Sequence, residues 1–114
     1  MIFVFGSNLA GRHVKGAAKH AAWDYGAQQG IGEGITGLSY AIPTKGMHLE
    51  PLPFHEVDAA ICRFLDYAKS HHGAYLLTPI STGLAGHSKR RVWSVLAREG
   101  LPSNVYLTST WVTA

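Results

Sequence analysis

A single cysteine, Cys62, stands among 114 residues, so no internal disulfide can form and a reducing interior setting is expected. Long apolar runs are missing too. The opening Ile2-Phe3-Val4-Phe5 is far shorter than a signal-peptide core or the roughly 20 residues of a membrane-spanning helix. No other stretch approaches that length, and a soluble cytoplasmic protein with no membrane partner is expected. Charge is sparse, at 15% Asp, Glu, Lys and Arg with a formal net charge of +3. The basic residues are scattered and no aromatic-basic recognition motif is present, which ranks RNA binding last among the functions a basic chain permits. No GxGxxG pattern follows the first apolar run, so a dinucleotide fingerprint of that kind is unsupported. His71 and His72 point in different directions on a helix and have no cysteine or carboxylate cluster beside them in sequence. They read as capping residues, and neither a metal nor a cofactor is expected. Repeats, linkers and low-complexity blocks are absent as well.

What remains is a chain with 46% apolar residues, long enough to bury a core as one domain, 1–114. Ile2 to Phe5 lacks polar alternation and predicts a strand covered on both faces. Gly6 to Gly16 is a polar, glycine-punctuated loop. Ala17 to Gln29 predicts a helix with Ala17, Ala18, Ala21, Ala22 and Tyr25 on one face. Gly30 to Gly37 reads as a connector, and Leu38 to Ile42 as a strand ended by Pro43. Thr44 to Pro53 is a loop. The longest helix is expected over Phe54 to His72, with Gly73 as its left-handed C′ residue. A third strand over Ala74 to Ile80, a helix from about Ser88 to Arg98 and a last strand over Val105 to Thr108 complete the chain. The expected fold is a three-layer α/β/α sandwich with a mainly parallel sheet in β-α-β-α-β-α-β order.

In such a sheet the loops after the strands share one edge, so Gly6–Gly16, the Thr44 region and Ser81–His87 should converge on a cleft. Thr78 to His87, TPISTGLAGH, is a strand running into a small-residue loop before a basic helix start, Ser88-Lys89-Arg90-Arg91. Such a junction leaves backbone N–H groups for an anion, although glycines there also serve plain turn geometry. The three cations oppose the helix dipole, a conflict that a bound anion relieves. Asn8, Ser81 and Thr82, with Arg12, Lys15, Lys45 and His87, suit a phosphorylated small molecule. Structural uses compete for each: an Asx-turn for Asn8, a surface position for His13, a solvated one for Asp24, and packing for Trp23, Trp93 and Trp111.

Ile80-Ser81-Thr82-Gly83-Leu84-Ala85-Gly86 resembles the second ligand loop of macro domains, and Asn8 to Ala18 is similar to their first. Tyr40-Ala41-Ile42-Pro43-Thr44-Lys45 resembles the strand and lysine of the branch that includes the terminal ADP-ribose protein glycohydrolase. As a whole the chain is similar to very small macro-like proteins of phages and bacteria. The resemblance implies a site for ADP-ribose or a related NAD-derived nucleotide. Its binding residues would be Gly11, Arg12, Lys15, Gly16, Ser81, Thr82, Gly83, Leu84, Ala85, Gly86 and His87. It implies Asn8 and Lys45 as catalytic residues if an ADP-ribosyl bond is hydrolysed. Ala85, however, stands where the glycohydrolase branch carries its aspartate. That departure motivates the alternative, a non-catalytic binder of an NAD-derived signal or a reader of ADP-ribosylated protein or nucleic acid.

Overall fold

The computed structural model describes residues 1–81 and 86–112, and the statements below concern those residues. Strands β1 (Ile2–Asn8), β2 (Gly34–Thr36), β3 (Ser39–Lys45), β4 (Tyr75–Leu77) and β5 (Val105–Leu107) form one sheet in the order β2-β3-β1-β4-β5. Helices α1 (Gly16–Asp24), α2 (Phe54–Ser70) and α3 (Lys89–Glu99) cover it, and a 3-10 turn at Ser109–Trp111 follows β5.

Side-chain alternation along the central strand β1 divides the core in two. Phe3 and Phe5 pack with Ala18 and Ala21 of α1 on one face, whereas Val4 joins the larger cluster under α2 and α3 on the other. The small residues of α1 allow close approach to the sheet. On α2, Val57, Ala60, Ile61, Phe64, Leu65 and Ala68 keep helical spacing and are all buried, each large one contributing about 1.5–3 kcal/mol of apolar burial.

The sheet is mixed, which corrects the expectation of a mainly parallel one. β1 pairs in parallel with β3 and β4, and β4 with β5, but β2 runs antiparallel to β3. The expected connector Gly30–Gly37 supplies that extra strand, so the order is β-α-β-β-α-β-α-β. Pro43 does not end its strand: β3 continues to Lys45, because the β2 register stops at Gly34 opposite Ala41 and leaves an unpaired flank where a missing N–H interrupts nothing. α1 is shorter than expected, since Gly26 takes a φ of 72° and the Ala27 N–H turns back to the Ala21 carbonyl. α2 stops at Ser70 with His71 already extended, so Gly73 is not its C′ residue. β4 ends at Leu77 because Pro79 follows and the Ile80 N–H closes a tight turn onto the Thr78 carbonyl.

The chain leaves β1 through α1 on one face and leaves β4 toward α3 on the other. Loops that part to opposite faces at neighbouring carboxyl ends open a crevice between them, the usual ligand position in open α/β sheets.

Candidate functional site

A cleft of about 540 Å³ occupies that crevice at the carboxyl ends of the strands. Its walls come from the β1–α1 loop, the end of β3 with its following turn, the segment after β4, and Thr110.

The first wall is built around Asn8. A shift of register at the end of β1 turns the chain, and the Asn8 side chain brackets the next residues: its amide donates to the Arg12 carbonyl and accepts from the Arg12 N–H, both at 2.9 Å. Gly11 has a φ of 68°, and any Cβ there would overlap the Gly30 backbone, so the position admits glycine alone. From behind, Gln29 exchanges hydrogen bonds with both backbone groups of His13, at 2.9 and 3.1 Å. The His13 ring meets the Ile31 carbonyl through Nε2 at 3.0 Å and lies edge-on to Phe5. Ser7 Oγ donates to the Gly32 carbonyl. His13, expected at the surface, is thus buried as a support for this loop.

The loop delivers Arg12 and Lys15 to the cleft and ends in the first turn of α1, where Gly16, Ala17 and Ala18 line the wall. The N-cap position is Lys15, whose side chain has no acceptor, and the first turn holds no acidic residue. The leading N–H groups therefore lack intrahelical and side-chain partners and carry the positive end of the dipole.

The second wall is the end of β3. Thr44 donates its hydroxyl to the Ser7 carbonyl at 3.1 Å, and the Lys45 carbonyl accepts from the Leu9 N–H at 2.9 Å. With its main chain tied down, Lys45 lines the cleft, followed by Leu49 on a tight turn. The third wall is Thr78 to Ser81. Thr78 binds the Val4 carbonyl through both its N–H and its hydroxyl. Ser81 adopts a φ of 65° and its carbonyl accepts from the His87 N–H, while its buried Oγ has no hydrogen-bond partner among the described residues.

Of the residues singled out in the sequence, Asn8, Arg12, Lys15, Gly16, Lys45 and Ser81 all line this cleft. Gly11, Gly86 and His87 are not among the lining residues. Gly11 presses backward onto Gly30, and the His87 ring lies edge-on to Phe54 at 5.0 Å. Thr82, Gly83, Leu84 and Ala85 lie outside the described residues. At the basic start of α3, Ser88 Oγ accepts from the Arg91 N–H, Lys89 Nζ donates to the Thr110 carbonyl, and the Arg91 guanidinium sits over Phe54 at 4.3 Å. Val14, Leu49 and Thr110 escaped sequence reasoning, since an aliphatic residue in a loop carries no chemical signature and Thr110 reaches the site only through the fold.

Among the described lining residues there are three cations and no carboxylate, an arrangement suited to holding an anion and not to paired acid–base work. Groups with displaced proton affinity lie elsewhere. Burial, reinforced by Glu33, pushes the Tyr40 hydroxyl up to about 12, and the Arg98 hydrogen bonds hold Asp58 below the usual carboxylate range. A second cavity of about 440 Å³ sits at the opposite, amino end of the sheet, where two of the polar lining residues are engaged by the fold. Asn104 donates to the Ala68 and Gly73 carbonyls, and His71 Nδ1 meets the Tyr67 carbonyl.

No protein-family model and no curated protein matches the chain. Among solved structures it is similar to a protein of unknown function from Bacteroides thetaiotaomicron, with a TM-score of 0.62 and 13% sequence identity over 94% of this chain and 88% of that one. At that identity the likeness concerns the fold alone.

Proposed function

We propose that the cleft binds ADP-ribose or a related NAD-derived nucleotide through its phosphates, in keeping with the macro domain-like features of the sequence. One observation carries the reading: an uncapped helix N-terminus, three cationic side chains and a serine hydroxyl with no partner among the described residues line the same cleft at the point where the chain parts to opposite faces of the sheet. Binding without hydrolysis is the favoured form. Asn8, one of the two residues that the resemblance offers for catalysis, spends both ends of its amide on the Arg12 backbone. The free thiol of Cys62 accords with a cytoplasmic setting for such a ligand.

Calorimetry with ADP-ribose tests the reading. Saturation below millimolar ligand is expected, and Ala17→Glu should weaken it at least tenfold, because a carboxylate in the first turn competes with the ligand while favouring the helix dipole. Lack of saturation at millimolar ligand overturns the proposal. Release of ADP-ribose from a modified protein by the same preparation, lost in Lys45→Ala, would replace the binder by a hydrolase.

A further inference from the structure

Two non-glycine residues among those described hold their backbone in the left-handed region, Ser81 and Leu49, and both line the cleft. That conformation costs a leucine free energy and persists only where its surroundings impose it. Here a closed turn imposes it. The Gly46 N–H donates to the Glu50 carbonyl at 2.8 Å, the Leu49 N–H to the Gly46 carbonyl at 3.1 Å, and the His48 N–H to Glu50 Oε1 at 3.0 Å. Glycine would make the same turn without strain. The leucine side chain is not placed in the core in return, for Leu49 is 36% exposed. From a different loop, Val14 reaches the same cleft and is 57% exposed. Neither aliphatic group contributes much to folding from such a position, yet both would lose water against a ligand.

The cleft is also much larger than a phosphate needs. At about 540 Å³ it falls within the range of sites that enclose a whole small molecule, roughly 300–1,000 Å³. We propose that Leu49 and Val14 grip the planar base of a nucleoside phosphate whose anionic end lies at Lys15 and the start of α1. The site then selects ligands that join phosphate to a ring and discriminates against bare phosphates and sugar phosphates. This inference rests on the anion-binding reading of the same cleft.

Calorimetry with pyrophosphate, ribose 5-phosphate and ADP separates the two. ADP should bind at least tenfold more tightly than either of the others. Leu49→Ala and Val14→Ser should each erase much of that advantage, reducing ADP affinity several-fold more than pyrophosphate affinity. Leu49→Gly should lose the same advantage while holding or raising the melting temperature, since it relieves the left-handed leucine. Equal affinity for pyrophosphate and ADP, parallel losses for both probes, or a fall in the melting temperature of Leu49→Gly would overturn the base-gripping role and leave the anion site standing. Failure of all three probes to bind would overturn both.

Discussion

Asn8 is the residue at which two uses compete most directly. Its position at the end of the central strand, facing the cleft, is that of a ligand-handling residue, but its amide holds the following loop in shape. Asn8→Asp keeps size and shape and preserves the acceptor toward the Arg12 N–H. It removes the donor and sets a carboxylate oxygen against the Arg12 carbonyl. Chemical denaturation should show a loss of about 1–3 kcal/mol, the cost of leaving a partly buried carbonyl unpaired, and unchanged stability would show that the bracket is dispensable. That Asn8 had a structural use was legible from its residue type, since asparagine readily bonds its own backbone a few residues on. The burial of His13 was not legible, because it depends on Gln29 and Ile31, which sequence distance hides. Trp23 was equally opaque: a tryptophan suggests packing, yet it is 78% exposed, with Lys19 over its ring.

Among the elements, α2 was readable because its apolar stripe repeats over 17 residues, so that no single position decides the pattern. β2 escaped because three residues cannot display a period, and a glycine with a φ of 89° begins it. The α2–α3 contact adds a feature that periodicity does not reveal, the Arg98 guanidinium fork on Asp58 at 2.7 and 2.9 Å. The hydrogen bonds from Arg98 hold the Asp58 carboxyl below its ordinary range. A lowered folded-state pKa contributes stability that is present above the unfolded value, near 4, and is lost as pH falls through the folded value. Arg98→Met should therefore lower the melting temperature at pH 7, with the gap to the parent shrinking once the pH drops below about 4. A gap that stays constant across that range would mean that the fork contributes packing alone. Both partners are partly exposed, so the effect should be modest and should weaken in salt.

Across the whole molecule, Tyr40 joins the sheet to α2, with its ring edge-on to Phe64 at 5.0 Å and tilted against Tyr67 at 5.2 Å. Burial first, and then the Glu33 carboxylate, push its hydroxyl up to about 12. The unfolded chain ionises near pH 10, so the stability gained by keeping Tyr40 neutral is full below pH 10 and is lost as pH rises through about 12. Tyr40→Phe should keep more of its stability between pH 9 and pH 11.5 than the parent does, measured by denaturation at each pH. Parallel losses would place the alkaline limit elsewhere. The same scale separates what each level of description decides. Local order sufficed for the α/β class, the apolar faces of the helices and the placement of Asn8, Lys15, Lys45 and Ser81 toward the carboxyl ends of strands, because these follow from periodicity and from the alternation of strands and helices. Only the tertiary structure decided that β2 pairs antiparallel at one edge, that β4 crosses to the other side of β1, and that Leu49 and Val14 meet the cations in one cleft. Strand pairing and burial are set by contacts between residues far apart in the chain, and no local pattern encodes them.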